Sequence, residues 1–552
     1  MLKIINGQVY DPANGVSGDV KDILIEDGHI VGEAGRLQDE DKAGDVEVLD
    51  AAGCAVMPGG IEIHSHMAGP KVNSARIMCP EDHYDHFYSR TPATRSGTGY
   101  TIPSTFMTGY LYAGLGYTTA FEAAVPPLEA RHAHEELQDT PLLDTGIYTL
   151  MGNHYMIMKV LSEPDAQARK ERLHALMSWV LRSSKGYAVK VVNPGGVESW
   201  KWSQGAAGLD TPIPPFGVTP RRILMELVDT VEELRLPHSL HLHCNHLGEP
   251  GNVETTLATM RTLAGRRLHL THMQFHAYGL TKKGRIKSAA PQIAECLNQH
   301  PEFTCDVGQI VFGPATTMTA DSPMEYRLHQ LTGHKWASSD VEVETGAGIV
   351  PLTYRPDVLT NAIQWCIGLE LLLLCKNPWQ ISLTTDHPNA GPFVAYPQII
   401  RLLMDAGYRQ SRLEKLHPRV RHYTHLAEIN REYTLDEIAI ITRAGQARTL
   451  GLSRKGHLGE GAQADVAIYR LQDDREAMFS RPAYVLKDGE VIVRDGQAIK
   501  GFKGRTLFAD PDSSLPLPSD LVDDFHNYYT VAMSNYAVED EYISRPEAIP
   551  CT

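Results

Sequence analysis

The stretch that decides the fold is Met57-Pro58-Gly59-Gly60-Ile61-Glu62-Ile63-His64-Ser65-His66, an apolar run that ends in two histidines one residue apart. Alternate residues of a β-strand point to the same face, so we expect the imidazoles of His64 and His66 to point the same way. Two neutral imidazoles at the end of a strand form half of a site for a borderline-soft divalent metal such as zinc. The other half has to come from elsewhere in the chain.

Lys190 is the first downstream candidate. It is flanked by Val189, Val191 and Val192, a pattern that is typical of a buried strand. Burial makes an ammonium costly and lowers the pKa of a lysine by up to about 3–5 units. The resulting neutral amine can add carbon dioxide and become a carbamate, which is a carboxylate on a long arm that can bridge two metals. A lysine at the exposed edge of a strand or in a salt bridge is the alternative interpretation.

Three more polar residues lie where strand-like runs end. His243 ends the run 240–243, His272 ends the run 268–272, and Asp386 ends the run 381–386. A lone aspartate in such a place is also typical of a helix cap or a turn. The ordered set of His-x-His, lysine, two histidines and aspartate is therefore stronger evidence for a metal site than any one member. The competing histidines that the sequence leaves open are His241, His246 and His276.

The chain alternates strand-like runs with amphipathic helical stretches, such as 221–234 and 253–263. This alternation predicts an α/β fold with a parallel sheet. Polar residues at several strand ends predict a TIM-like (β/α)8 barrel, in which the chemistry gathers at the C-terminal ends of the strands. We expect the barrel to span residues 58–450, with insertions at about 67–115 and 308–360 that are long enough to be functional.

The two ends of the chain predict a second, smaller unit. Segments 1–57 and 451–508 contain strand-like runs around Asn6-Gly7, Asp27-Gly28 and Asp488-Gly489, and such dipeptides are the strongest short signal for a hairpin. Each end has too few strands for independent stability, so we expect one small β-sandwich built from both. Residues 509–552 form a C-terminal tail, and the sequence leaves open whether this tail wraps the chain or docks on a partner.

The composition restricts the class of function. The chain has 552 residues and a formal net charge of −16, which argues against a nucleic-acid-binding protein. Its eight cysteines form no Cys-x-x-Cys motif, which argues against zinc ribbons and iron–sulfur clusters and fits a cytoplasmic protein. The longest aliphatic run, Leu369–Leu374, is far shorter than the roughly 20 residues of a membrane span, and residues 1–7 predict a strand rather than a signal peptide. We therefore expect no membrane association.

These residue types fit the hydrolysis of an unreactive carbonyl–nitrogen bond. Two metals can share a hydroxide of lowered pKa and polarise the carbonyl oxygen. We expect Asp386 to take the proton of this hydroxide and deliver it to the departing amine, because an amine is a poor leaving group until it is protonated. A carbamate on Lys190 would bridge the metals.

The chain resembles the amidohydrolase superfamily, in particular its hydantoinase and dihydroorotase branch with a carboxylated lysine. The expected β-sandwich matches the usual companion domain of that superfamily. Four stretches are more specifically similar to the family of the A-type subunits of formylmethanofuran dehydrogenases. They are His64–Asn73, Lys190–Gly196, Thr316–Asp321 and Thr385–Phe393. The likeness covers nearly the whole chain.

The resemblance implies a dinuclear site with two divalent metal ions, usually Zn²⁺, and an N6-carboxylated Lys190. It implies as metal ligands His64, His66, Lys190, His243, His272 and Asp386. It also implies a formamide substrate: an N-formyl group on a methanofuran-type aminomethylfuran carrier, interconverted with formate and the free amine. Lys71 falls in one of the family's motifs and would hold formate or a negative charge of the carrier, whereas a surface lysine in a long loop is the alternative.

Two members of this family differ in partners and direction. The dehydrogenase subunit condenses methanofuran with formate that a molybdenum or tungsten partner makes from carbon dioxide. The hydrolase subunit of the formyltransferase/hydrolase complex of methylotrophic bacteria runs the reaction towards formate, and we favour this role. In both cases the redox cofactor or the transferase belongs to other subunits. The alternatives are a hydantoinase-like cyclic amidase, disfavoured by the long segment 67–115, and a non-catalytic scaffold.

Overall fold

The computed structural model describes residues 1–31, 46–202, 208–339, 343–511 and 516–551. Eight parallel strands lie at its centre, and each pairs with the next one along the chain. They are β1 (Gly60–Ser65), β2 (Tyr117–Val125), β3 (Asp144–Leu150), β4 (Ala188–Val192), β5 (Leu240–His243), β6 (Leu268–Leu270), β7 (Phe303–Asp306) and β8 (Ile381–Ser382). Helical or inserted segments connect these strands, as parallel pairing requires. The predicted α/β barrel is therefore confirmed.

The barrel closes between β1 and β8 at its mouth. Ser65 pairs in parallel with His387, and the backbone N–H of His66 donates to the carbonyl oxygen of His387 at 2.7 Å. A register shift between Glu62 and Ser65 interrupts the pairing of β1 with β2 next to this point. The closing contact therefore involves residues that directly adjoin the predicted site.

Two strands end earlier than the sequence predicts. The runs 268–272 and 381–386 predict strands through their last residues, whereas β6 ends at Leu270 and β8 ends at Ser382. His272 and Asp386 lie beyond these ends in left-handed backbone conformations, with φ of +37° and +48°. Such conformations are unfavourable for residues other than glycine and recur at functional sites. The turns bring His272 against His243 and the Asp386 carboxylate against His64.

Helices flank the barrel and fill its connections. The predicted helices 221–234 and 253–263 are observed as Pro220–Glu233 and Val253–Leu263, and the aliphatic run lies in Leu359–Leu374. The remaining α-helices of the described residues are Pro70–Met78, Pro80–Asp85, Thr105–Gly114, Ala130–Gln138, Tyr155–Leu161, Ala166–Ser184, Gly196–Lys201, Ala290–Gln299, Ser322–Thr332, Tyr396–Met404, Ala406–Leu413, Leu435–Ala439, Gly445–Leu450, Arg475–Ser480, Ser519–Tyr528 and Met533–Tyr536. Among these described helices, none has the length and apolar character to cross a membrane.

Strands from both ends of the chain form one nine-stranded mixed sheet, the counterpart of the predicted β-sandwich. Its strands are Leu2–Asp11, Val16–Glu26, His29–Ile30, Glu47–Asp50, Cys54–Pro58, Val466–Arg470, Tyr484–Lys487, Glu490–Arg494 and Gln497–Ala498. The two halves join where Cys54–Pro58 pairs antiparallel with Val466–Arg470. The N–H of Ile30 donates to the carbonyl oxygen of Ala462 at 2.9 Å, which folds the sheet over its own apolar interior.

The dipeptide Asn6-Gly7 does not form the predicted hairpin. It lies inside the single strand Leu2–Asp11, where a bulge accommodates Asn6 at a φ of +61°. A Cβ atom on Gly7 would lie 2.4 Å from Cγ2 of Val56, so the close approach of the neighbouring strand requires glycine here. The predicted hairpins at Asp27-Gly28 and Asp488-Gly489 are present.

The two predicted insertions are folded and pack against each other. The first contains three of the helices above and a short strand pair, and the second contains a helix and a three-stranded antiparallel sheet. Val72 and Ala75 of the first share an apolar cluster with Met318 and Ile349 of the second. The small sheets outside the barrel are Phe87–Tyr88 with Gly97–Thr98, Tyr278–Leu280 with Ile286–Ser288, Gly313–Thr319 with Ala347–Tyr354 and Ala337–Ser339, and Leu507–Ala509 with Glu547–Ile549.

The described part of the C-terminal tail wraps the chain itself. The ring of Tyr536 stacks on Trp179 of an outer barrel helix, with 5.2 Å between the ring centroids. The hydroxyls of Tyr529 and Tyr536 donate to Glu344 of the second insertion at 2.8 and 2.9 Å. The tail therefore ties the second insertion to the outside of the barrel.

Replacing Trp179 with alanine removes the ring on which Tyr536 stacks. Truncating a packed aromatic residue costs up to about 3–5 kcal/mol, so we expect the tail to detach more often. Limited chymotrypsin digestion should cleave after Phe525 several-fold faster than in the unmodified protein. Ile77→Ala, at a side chain that is 81% exposed, is the control. Equal cleavage rates in the two variants would show that Trp179 does not hold the tail.

Candidate metal centre

The imidazoles of His64 and His66 meet the carboxylate of Asp386 at the mouth of the barrel. Oδ1 of Asp386 lies 3.0 Å from Nε2 of His64 and 3.3 Å from Nε2 of His66. All three side chains are buried. A tetrahedral zinc ion with bonds of about 2.0–2.1 Å separates its ligand atoms by roughly 3.3 Å. The three residues are therefore close enough together to hold a metal ion.

Further buried nitrogen atoms around the same space have no hydrogen-bond partner among the described residues. They are Nζ of Lys190, Nδ1 of His272 and Nδ1 of His243. The rings of His243 and His272 are nearly perpendicular, with centroids 4.7 Å apart, and His272 lies 5.5 Å from the ring of His64. A buried polar atom without a partner costs free energy, so this cluster fits metal ions that the nitrogens would bind. The structure brings all six predicted ligands together, and their role as ligands stays a prediction.

Lys190 lies in the middle of β4 and is only 1% exposed, so it is not at the exposed edge of a strand. Burial lowers its pKa to about 7, although Asp306 and Asp386 favour the charged form. A substantial share of this side chain is therefore a neutral amine near pH 7, the form that reacts with carbon dioxide. For Asp386, burial opposes the charge, but His64 and His66 hold its pKa below the ordinary value. Asp386 is therefore a carboxylate.

A chain of histidines beneath the site determines which nitrogen of His64 carries a proton. Nδ1 of His238 lies 2.9 Å from the carbonyl oxygen of Thr449, which can only accept, so this Nδ1 carries the hydrogen. Nε2 of His238 then accepts from Nδ1 of His241 at 3.0 Å. Nε2 of His241 in turn accepts from Nδ1 of His64 at 2.9 Å. Burial keeps His238 and His241 neutral by lowering their pKa values well below normal, so Nδ1 of His64 carries a hydrogen and Nε2 of His64 is the nitrogen turned towards Asp386.

Asp306, which the sequence pattern did not single out, supplies negative charge behind this chain. Its Oδ2 lies 3.4 Å from Nδ1 of His64 and 3.1 Å from Nε2 of His269, and its Oδ1 accepts the N–H of His272 at 2.7 Å. His64, His241 and Asp306 are also close enough together to hold a metal. A metal there would compete for the Nδ1 of His64 that donates to His241, so we assign this group a hydrogen-bonding role. Asp306 ends the run 303–306 just as Asp386 ends the run 381–386, so the same sequence pattern could have identified it.

Lys71 is buried, so its interpretation as a surface lysine is wrong. Its ammonium donates to Oε1 of Glu122 at 2.7 Å and to the carbonyl oxygen of Ala124. The same carboxylate oxygen lies 3.3 Å from Nδ1 of His66. Although burial opposes the charge, Lys71 and His66 lower the pKa of Glu122 to about 2. Lys71 thus helps to orient His66 through Glu122, and its binding of formate or the carrier stays a prediction.

Asn389 connects Asp386 to the second insertion. Its Nδ2 donates to Oδ1 of Asp386 at 2.9 Å, and its Oδ1 accepts the backbone N–H of Met318 at 2.7 Å. Met318 belongs to the antiparallel sheet of that insertion. The position of the Asp386 carboxylate therefore depends on an inserted segment as well as on the barrel.

The three histidines that the sequence left as alternative ligands make different contacts from the six predicted ligands. His241 belongs to the chain under His64. His246 lines the cavity described below, and its Nδ1 lies 3.0 Å from Oγ1 of Thr255. His276 is buried, with its ring centroid 5.4 Å from those of both His243 and His272.

A cavity of about 1380 Å³ opens onto the site. His243, His272 and Asp386 contribute to its wall. The remaining wall includes the aromatic and aliphatic side chains Phe275, Tyr278, Leu352, Tyr354 and Ile363 and the basic side chains Arg285 and Arg419. A cavity of this size accepts a substrate larger than a small cyclic amide.

Comparisons with known proteins agree with this geometry. Residues 47–493 match the sequence profile of the Amidohydrolase family. The chain is 46% identical to Protein FwdA of Methanocaldococcus jannaschii, over 98% of this chain and 97% of that protein. It is 40% identical to the A subunit of the formyltransferase/hydrolase complex Fhc of Methylorubrum extorquens, again over 98% and 97%. It also superposes with a TM-score of 0.92, at 39% identity and over 100% of both chains, on a chain of the crystal structure of the FhcABCD complex of M. extorquens with methylofuran.

Replacing His238 with phenylalanine removes the acceptor that fixes the proton position on His241 and hence on His64. Loss of such a supporting hydrogen bond weakens metal binding, and we expect zinc affinity to fall 10–100-fold, an order-of-magnitude figure. Competition with a chromophoric chelator measures this affinity. His134→Phe is the matched control, because His134 is also buried and also bonds a backbone carbonyl, that of Ser184 at 3.0 Å. An affinity as high as that of the control would exclude the proposed role of His238.

Proposed function

The chain belongs to the amidohydrolase family, and we propose that it interconverts an N-formyl group on a methanofuran-type aminomethylfuran carrier with formate and the free amine. The observation that carries this proposal is the cluster of buried nitrogens without partners beside Asp386, at the wall of a large cavity. The similarity to the A subunit of Fhc, together with the methylofuran in the solved complex of that protein, supports a carrier of this class.

We propose as metal ligands His64, His66, a carbamate of Lys190, His243, His272 and Asp386. Imidazole and carboxylate donors of this kind suit Zn²⁺. Bound zinc supplies Lewis acidity, which lowers the pKa of water and polarises a carbonyl group. Lys190 fits the carbamate because its amine is buried and has no hydrogen-bond partner among the described residues.

Asp386 would transfer the proton. As a carboxylate held between His64 and His66, it accepts a proton from the attacking water while the water oxygen forms a bond to the formyl carbon. It then donates this proton to the amide nitrogen as the carbon–nitrogen bond breaks. The immediate products are formic acid and the neutral amine, and at neutral pH the proton of formic acid passes to the amine, which gives formate and an ammonium ion. Asn389 keeps the carboxylate in place during both transfers.

The same residues serve both directions, because a catalyst lowers the barrier in each direction equally. Partner subunits would then decide whether the chain works as the hydrolase subunit of a formyltransferase/hydrolase complex, our first expectation. The 46% identity to FwdA supports the second candidate, a chain that condenses formate with the carrier. Metal analysis of the co-purified complex separates the two, because the second requires a molybdenum or tungsten partner.

The reaction is tested by measuring formate release from N-formylmethanofuran with the purified complex and its zinc content. We expect release that requires about two zinc ions per chain, as a dinuclear site implies. Rapid hydrolysis of hydantoin or dihydrouracil, with none of the formyl carrier, would instead identify a cyclic amidase.

Asp386→Asn should preserve the fold and abolish the proton transfer. General acid–base catalysis contributes about 10²–10⁴-fold, so we expect kcat to fall by that factor. Formate release and thermal unfolding measure the two properties. Asp229→Asn, which removes a partly exposed carboxylate paired with Arg266, is the control. Activity of Asp386→Asn within a few-fold of the unmodified protein would assign the proton transfer to another group.

Carbamate formation on Lys190 should depend on bicarbonate and on pH. The neutral amine fraction rises as pH increases through the pKa of about 7, so we expect more carbamate above pH 7 than below it. Incorporation of ¹³C-bicarbonate, followed by NMR, measures the modification. Lys487 is an internal control, because its ammonium is paired with Asp144 and Asp465 at 2.8 and 3.0 Å and its pKa is raised. A carbamate signal that persists in Lys190→Met would contradict the assignment.

A further inference from the structure

Glu325 is a carboxyl group in the wall of the cavity that the reaction proposed above does not use. It lies in the helix Ser322–Thr332 of the second insertion, one turn beyond Asp321, and is fully buried. Its Oε1 has no hydrogen-bond partner among the described residues. Asp321 begins the same helix, and its Oδ2 lies 3.3 Å from Nε2 of His243. Glu325 lines the same cavity as the proposed ligands His243, His272 and Asp386.

The surroundings of Glu325 favour its uncharged form. Burial is the main cause that raises its pKa well above the ordinary value, and the carboxyl groups of Asp321 and Asp386 raise it further. Only a hydroxyl of Thr317 that donates to Glu325 acts in the opposite direction, and it does not reverse the shift. A neutral carboxylic acid has one hydrogen to donate and an oxygen that only accepts.

Thr317 determines which oxygen of Glu325 carries the hydrogen. Oγ1 of Thr317 lies 2.6 Å from Oε2 of Glu325 and 3.2 Å from the carbonyl oxygen of Val350. Because Oε1 of Glu325 has no partner among the described residues, the hydrogens of the neutral acid and of the hydroxyl are both bonded only when Oε2 of Glu325 donates to Thr317 and Thr317 donates to Val350. Oε2 of Glu325 therefore carries the hydrogen, and Oε1 is left as an uncharged acceptor.

Gly348 fixes the stem of the same side chain. A Cβ atom at Gly348 would lie 2.4 Å from Cβ and 2.5 Å from Cγ of Glu325, so the backbone of strand Ala347–Tyr354 lies directly against it. The carboxyl group is thus held by Thr317 at one end and by a close backbone contact at the other. Such a fixed acceptor needs no reorganisation when a donor arrives.

We propose that Oε1 of Glu325 accepts the N–H of the substrate formamide and positions the bond that is cleaved. This inference rests on the proposed function. In a trans secondary amide the N–H points away from the carbonyl oxygen, so an amide whose oxygen faces the metal ligands directs its N–H elsewhere in the cavity. A buried N–H without an acceptor is unfavourable, and Oε1 of Glu325 satisfies it. Because the acceptor is neutral, it does not retain the ammonium product as a carboxylate would.

Two probes and two variants test this contact. N-furfurylformamide carries the N–H, whereas N-methyl-N-furfurylformamide lacks it. Glu325→Gln keeps an acceptor oxygen and can still donate to Thr317, whereas Glu325→Leu keeps the volume without any acceptor. We expect Glu325→Leu to lower kcat/KM for the N–H probe by 10–100-fold, an order-of-magnitude effect of one unsatisfied buried group, and to leave the N-methyl probe unchanged. Glu325→Gln should stay within a few-fold of the unmodified protein on both.

The Kd values of both probes, measured by calorimetry in the Asp386→Asn background, give a readout without turnover. We expect Glu325→Leu to weaken only the N–H probe there as well. An equal loss of affinity for both probes would show a merely structural role. No loss of affinity for either probe would show that the contact is not made. A loss in Glu325→Gln as large as in Glu325→Leu would show that a charged carboxylate is needed. Each of these results overturns the inference. Failure of the proposed function is distinct, because it appears as absent hydrolysis of N-formylmethanofuran by the unmodified complex.

Discussion

A buried carboxylate between two imidazoles is the interaction on which this site depends. Oδ1 of Asp386 lies within 3.3 Å of Nε2 atoms from both His64 and His66, and all three side chains are buried. In a buried environment electrostatic attractions are strong, and a hydrogen on the wrong ring nitrogen is correspondingly costly. The hydrogen bonds that begin at the carbonyl oxygen of Thr449 remove this ambiguity, because each acceptor along the chain leaves only one nitrogen of the next ring to donate.

The contacts that close the barrel also position the residues of the site. β8 is only two residues long, so the backbone contact between His66 and His387 completes the ring of strands at the point where Asp386 is presented. The second insertion supports the same loop through Asn389 and Met318, and the tail holds that insertion through Glu344. An inserted segment that reads as a long loop in the sequence is therefore part of the scaffold of the site.

The sequence predicts those features that depend on local pattern. The alternation of β4 and β5, the pair His64 and His66, and the buried lysine follow from side-chain period and polarity. β2, β3 and β7 lack a clear pattern because small or polar residues interrupt them, as in the segment Asp144–Leu150 that contains Thr145 and Gly146. The roles of His241 and Glu122 have no local signal because they arise from contacts between distant positions: His241 and His64 are 177 residues apart. The hairpin at Asn6-Gly7 was also wrongly predicted because of a distant contact: the neighbouring strand sets the register of this segment.

The two acidic side chains Asp386 and Glu325 lie in the wall of one cavity, yet their environments drive them to opposite protonation states. Asp386 faces two imidazoles and the amide of Asn389, which stabilise a negative charge. Glu325 faces a hydroxyl and the backbone of Gly348, which do not compensate for burial. Pairs of acids separated in this way are how proteins assign different roles to the same chemical group. An amide hydrolase needs this division, because one acid must exchange a proton with the reacting atoms, whereas the other must accept a hydrogen bond without competing for that proton.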